Sequence, residues 1–157
     1  MPERKARTSG IAIAVVLALT ATGAIAASAA ETAIASRQAG LKKMGKSFKA
    51  INDELKKGSP DAKLIAAESK IVSAQAQALP KWFPKGSGPE AGFKTGAKSD
   101  IWAQPAKFTE AGNKLITESG KLQTIAATGN LDAVRAQVKA VGGSCKGCHE
   151  PFREKDD

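Results

Sequence analysis

The chain has no tyrosine, one histidine, two cysteines and an aromatic content of 4% in 157 residues. One histidine excludes any site built on two imidazoles. It also removes the distal acid–base pair that peroxide cleavage wants, so a peroxidase-like enzyme is not expected. Two cysteines and one histidine fall short of a closed tetrahedral zinc site, which takes four strong ligands. Missing tyrosine and few β-branched runs leave little to build strands from. The abundant Ala, Lys, Gln and Glu favour helix. Despite a formal charge of +9, no basic motif is interleaved with aromatics, so nucleic acid is not an expected partner.

The scarce residues stand together, in Cys145-Lys146-Gly147-Cys148-His149. C-x-x-C-H is the attachment signature of a c-type haem. Two thiols three residues apart can add to the two vinyl groups of one haem, and the adjacent histidine can supply an axial nitrogen to the iron. A structural disulfide and a dithiol redox pair are the bland alternatives. A dithiol oxidoreductase needs a βαβ context that this chain lacks. The motif predicts one haem c held by Cys145 and Cys148, with His149 as the iron ligand.

Residues 1–30 read as a secretory signal peptide. Arg4, Lys5 and Arg7 form a positive start, Ile11 to Leu19 an apolar stretch, and Ala24-Ile25-Ala26 and Ala27-Ser28-Ala29 offer small-residue cleavage sites. Thr20, Thr22 and Gly23 cut the apolar run short of the roughly 20 residues of a membrane span, although an uncleaved anchor stays open as an alternative. No twin-arginine pair is present, which favours the general secretory route. The expected location is periplasmic, with residues 31–157 forming one domain. The leader contributes only Arg4, Lys5 and Arg7 against Glu3, so most of the positive charge stays on the mature chain. It serves solubility on one reading and steers an acidic redox partner on the other.

Four helical stretches follow. The first, Thr32 to Lys57, repeats Ile34, Leu41, Met44, Phe48, Ile51 and Leu55 at helical spacing. Ser59 and Pro60 suit the N-cap and first position of the second, which carries Leu64, Ile71, Ala74 and Ala78 on one side. Prolines and glycines from Pro80 to Lys98 break any helix. A loop this long is often functional, or it is a crossover that packs its aromatics on the bundle end. Ser99 or Asp100 is expected to cap a third helix with Ile101, Phe108, Leu115 and Leu122 at intervals of seven. Asn130 is expected to cap a fourth, whose stripe is Val134, Val138, Val141, Cys145, Cys148 and Phe152. Gly142-Gly143 costs that helix about 1–2 kcal/mol against alanine. The pair lets haem or a neighbouring helix come close, or it simply loosens the chain. The predicted fold is all-α, an antiparallel four-helix bundle with a covalent haem near the C-terminal helix.

Beyond the leader, Met44 is the only methionine. Its place between Leu41 and Phe48 fits core packing, and ligation of the iron's second face stays open as the alternative. Without it the haem is five-coordinate.

The order of these marks resembles the cytochrome c′ family: Arg37-Gln38 with Leu41 on the first helix, a Pro/Gly-rich crossover, Ile101-Trp102, and C-x-x-C-H with Arg153 four residues after His149. The resemblance implies thioether roles for Cys145 and Cys148 and a proximal role for His149. It makes Leu41 the shield of a vacant distal face, where low-spin relatives place methionine. It sets Arg37 beside a haem propionate, against the alternative of a solvated surface arginine. It puts Arg153 on the proximal side, near the imidazole and its bound gas. Phe152 stands where the family often has tyrosine, so a packing role survives without the hydroxyl. The resemblance also implies electron transfer, restricted binding of nitric oxide or carbon monoxide, and a homodimer formed by the first two helices. A dedicated nitric oxide buffer and a low-spin, Met44-ligated electron carrier are the alternatives.

Overall fold

The computed structural model describes residues 12–155, with side chains from Ala29 onward. The charged start of the leader lies outside these residues, and its apolar run lies before the first described side chain. Five helices follow one another: α1 (Ala12–Glu54), α2 (Ala62–Ala78), α3 (Asp100–Ala103), α4 (Pro105–Ala127) and α5 (Leu131–Phe152). Two single 3-10 turns, Leu79–Trp82 and Pro89–Ala91, punctuate the crossover. Among the described residues there is no strand, and no helix is long and apolar enough to cross a membrane.

The long helices α1, α2, α4 and α5 form an antiparallel four-helix bundle. The main core has Ile51, Ala76, Leu122 and Val141 wholly removed from solvent, and a second, smaller cluster holds Ala97, Ile101 and Phe152. The third stripe faces inward as its spacing of seven requires, with Ile101, Leu115 and Leu122 buried and Phe108 packed against them. Asn130 does cap α5, accepting from the Ala133 amide at 3.0 Å.

Several local expectations are corrected. The N-cap of α2 is Asp61, not Ser59. Its carboxylate accepts from the amides of Lys63 at 2.8 Å and Leu64 at 3.1 Å, and Pro60 falls before the helix. The buried face of α2 is Ile65, Ser69, Val72, Ser73 and Ala76, one residue on from the expected stripe, while Leu64 is exposed. Serines were not counted as core. Ser69 buries because its hydroxyl donates back to the Ile65 carbonyl at 2.7 Å. The third helix is broken in two. Gln104 leaves the helical region at φ −124°, ψ 56° because Pro105 follows it, and Ser99 makes no side-chain cap. No neighbouring helix comes unusually close at Gly142-Gly143: a Cβ on Gly142 would meet Phe48 at an ordinary 3.8 Å, and one on Gly143 would meet no protein atom within 4 Å.

Helix α1 ends at Glu54, short of Lys57, because the Glu54 carboxylate turns to the next loop. It pairs with Lys57 at 2.5 Å and accepts from the Asp61 amide at 2.9 Å. These contacts, Lys57 foremost, hold its pKa below the ordinary glutamate value. A depressed pKa means stability that is present above the ordinary value and is lost as pH falls through the lowered one. Urea midpoints between pH 7 and pH 3 should therefore fall less steeply in Glu54→Gln than in the parent. Parallel curves would refute the assignment.

Among the described residues, Gly40 is the one helical glycine that a neighbour requires. An added Cβ would clash with the Trp82 indole that the crossover lays on α1. Alanine for glycine inside a helix ordinarily gains about 1 kcal/mol, and Gly120→Ala, which meets open space, should do so. Gly40→Ala should instead lose about 1–3 kcal/mol by overpacking. Thermal unfolding of the two variants checks the opposite signs.

Candidate haem-binding site

Helix α1 packs on α2, α2 on α4 and α4 on α5. The fourth side of the bundle, α1 against α5, is the open one. Arg135 of α5 bridges it at one end by donating to the Leu55 carbonyl. Farther along lies a cavity of about 550 Å³, within the range usual for cofactor pockets. Helix α5 lines it with Val141, Cys145, Cys148, His149 and Phe152, and α1 with Arg37, Leu41, Met44 and Phe48. All six residues singled out for the cofactor (Cys145, Cys148, His149, Arg37, Leu41 and Arg153) border this one space.

Burial pushes both thiols above their ordinary pKa, and the Cys145 charge adds to the effect at Cys148. Partial desolvation lowers the pKa of His149, and the Arg153 guanidinium lowers it further. The imidazole is thus kept neutral, the form that ligates a metal.

Arg37 is not a solvated surface arginine; it is 2% exposed. Its guanidinium donates to the Ser87 hydroxyl at 3.0 Å, the Ser87 carbonyl at 2.7 Å and the Thr95 hydroxyl at 2.6 Å. It lies 5.1 Å from the Phe83 ring centre and 5.9 Å from that of Trp102. Burial pulls its pKa down, and the Glu90 charge opposes that shift. Arg37 thereby gathers the crossover around itself. Thr95 carries the grip onward by accepting from the Ala97 amide at 3.1 Å. The next residues pair with the end of α5: Lys98 N–H donates to Phe152 at 3.0 Å, and Glu154 N–H to Gly96 at 2.8 Å. The crossover is therefore a strap between α1 and the turn of α5 that bears His149. An aromatic wall of Phe83, Phe108 and Phe152 backs the cavity, with neighbouring ring centres 4.8 and 5.3 Å apart. Ser87 and Thr95 went unnoticed in the sequence, because hydroxyls in a glycine-rich loop signal only a turn.

The donor set suits a c-type haem. Two thiols and a neutral imidazole stand on one apolar wall, and a buried cation sits at the rim. The match is not confined to this site. Residues 32–153 fit the family model described as Cytochrome C'.

The chain belongs to the cytochrome c′ family. Cytochrome c′ of Rhodospirillum rubrum is 31% identical over 141 residues, which are 90% of this chain and 95% of that one. The crystal structure of cytochrome c′ from Rubrivivax gelatinosus superposes with a TM-score of 0.72 at 31% identity, over 78% of this chain and 94% of the other. A nitric oxide complex of a variant cytochrome c prime from Alcaligenes xylosoxidans gives a TM-score of 0.73 at 28% identity, over 81% and 97% of the two chains. Haem c is the cofactor of this cytochrome c′.

Arg37→Lys keeps the charge but loses the planar fork that reaches Ser87 and Thr95 together. Amide exchange at residues 95–98 should speed up, and stability should fall by about 1.5–3 kcal/mol, the usual worth of hydrogen bonds to a charged group. Unchanged exchange in this stretch would show that the strap does not hang on Arg37.

Proposed function

We propose that this cytochrome c′ is a periplasmic electron carrier whose haem iron has one protein ligand and one face open to nitric oxide or carbon monoxide. Cys145 and Cys148 hold the haem by thioethers, and His149 is the proximal ligand. When bound, the haem supplies a one-electron Fe(II)/Fe(III) couple and an iron that takes small gases. Residues 1–30 are removed as a signal peptide, leaving 31–157 as the working domain, and no enzymatic role is assigned.

The observation that carries the reading is the α1 side of the cavity. It presents Leu41 and no second imidazole. Leucine cannot ligate, and it offers no hydrogen-bond donor to bound oxygen, so it favours gases that bind without one. In this reading Arg37 pairs with a haem propionate while it holds the crossover, and Arg153 borders the imidazole. Variants of the relative from Alcaligenes xylosoxidans bind nitric oxide in solved complexes, which supports the same ligand here. Another similar structure is a cytochrome c′ with ligand-controlled dimer dissociation, and a homodimer is proposed for this chain too. A dedicated nitric oxide buffer is the second reading. It predicts rapid gas trapping with slow electron exchange.

Met44 borders the same cavity at 7% exposure, which keeps a low-spin carrier as a third reading. The absorption spectrum of the ferrous protein separates this reading from the other two. A high-spin, five-coordinate spectrum unchanged in Met44→Ala is expected. A low-spin spectrum that Met44→Ala abolishes would overturn the proposal.

Leu41→Ala should tighten carbon monoxide binding roughly tenfold, about 1.4 kcal/mol, because the leucine no longer has to move. Equal affinity in parent and variant would remove the steric argument.

A further inference from the structure

The positive charge of this protein is unevenly placed. Between Thr32 and Asn52, α1 carries Arg37, Lys42, Lys43, Lys46 and Lys49 and no carboxylate. The crossover adds Lys81, Lys85, Lys94 and Lys98 against Glu90 alone. By contrast, α2 sets Lys63 and Lys70 against Glu68, and α4 sets Lys107, Lys114 and Lys121 against Glu110 and Glu118. Among the elements that border the cavity, α1 and the crossover carry the excess of positive charge, whereas α5 sets Arg135, Lys139 and Lys146 against Asp132 and Glu150.

The rim itself has gaps flanked by lysines. Gly45 and Gly96 both line the cavity, and a Cβ on either would meet nothing within 4 Å. Lys46 follows Gly45, and Lys42 of the same helical face lines the cavity. On the crossover side, Gly96 lies between Lys94 and Lys98. The Lys94 carbonyl accepts from the Gln38 side chain at 3.0 Å, which ties that residue to the α1 rim. Among the described residues no carboxylate lies within ion-pair distance of Lys42, Lys46, Lys94 or Lys98. Lysines that were solvated only for solubility would have no reason to concentrate beside the two places where the wall lacks side chains.

We infer that the Gly45–Gly96 edge of the cavity is the docking face for an acidic redox protein, with Lys42, Lys46, Lys94 and Lys98 drawing its carboxylates around the opening. This rests on the electron-carrying reading and adds where the electron enters. Uncovered backbone at the two glycines would let a partner come close to a cofactor held in the cavity. Surrounding like charge raises the encounter rate for an anionic surface and repels a cationic one. One electron passes from partner to ferric iron, giving the ferrous state, with no bond made or broken.

The test uses the holoprotein and stopped-flow reduction by a small acidic [2Fe–2S] ferredoxin, with photoreduced lumiflavin as a small uncharged control. Lys46→Glu/Lys94→Glu should slow the ferredoxin reaction about tenfold or more at low salt, within the range that steering provides. The difference should vanish at about 0.5 M salt, where screening reduces the Debye length to a few ångströms. Lys70→Glu/Lys114→Glu, on α2 and α4, should slow it no more than about twofold, an allowance for the general change in net charge. Lumiflavin rates should be equal in all three proteins. Equal slowing by the two double variants, or a salt-insensitive ferredoxin rate, would overturn the docking face while leaving the carrier reading intact. Failure of the parent to accept electrons from lumiflavin would instead sink the carrier reading. Loss of binding to phosphatidylglycerol vesicles in Lys46→Glu/Lys94→Glu, with the ferredoxin rate unchanged, would assign the face to a lipid surface and refute a protein partner.

Discussion

A guanidinium taken out of water must find its hydrogen bonds on the spot, because an unpaired buried charge costs several kcal/mol. At Arg37 that requirement is met by Ser87 and Thr95 and by the rings of Phe83 and Trp102. A crossover rich in proline and glycine has little structure of its own, and here it takes its shape from the cation it encloses. Thr95 then passes the constraint to the pairing of residues 96–98 with the end of α5. One desolvated side chain on α1 thus fixes the position of the turn that carries His149.

The same arrangement explains why the cavity survives. Two neighbouring helices of a bundle ordinarily close on each other and bury their stripes. Here α1 and α5 are joined at one end by Arg135 and Leu55 and at the other by the strap. Between these ties the apolar stripes face a space instead of each other. A haem held there would complete this core as well as function in it. Apolar side chains left beside a void forfeit contacts that a flat hydrophobic ring system restores. The raised pKa of the two thiols follows from the same apolar surroundings.

Much of this was legible from residue order. Helical spacing gave the buried stripes of α1, α4 and α5, and Asn130 announced the start of α5. The failures have local physical causes. Asp61 outcompeted Ser59 as a cap because its carboxylate reaches two amides. Pro105 broke a helix whose spacing ran unbroken across it. Buried serines shifted the face of α2 by one residue, since a hydroxyl bonded to its own helix counts as core although its residue type is polar. At the site, the C-x-x-C-H run marks by its chemistry alone the residues able to hold the cofactor. Arg37 stayed ambiguous because an arginine on a helix is read the same way whether water or a folded loop surrounds it.

The sequence by itself determined the cofactor and the residues able to hold it. Thioether chemistry needs two thiols at one spacing beside an imidazole, and this chain has only one place where that occurs. It also determined that no second histidine reaches the iron. The tertiary structure decided what lies around that motif: that Arg37 is sealed in and grips the crossover, that Leu41 and Met44 share the cavity with His149, and that lysines gather beside Gly45 and Gly96. Those relations join residues far apart in the chain. Local composition carries no record of them, because they come into being only when α1, the crossover and the end of α5 are brought together.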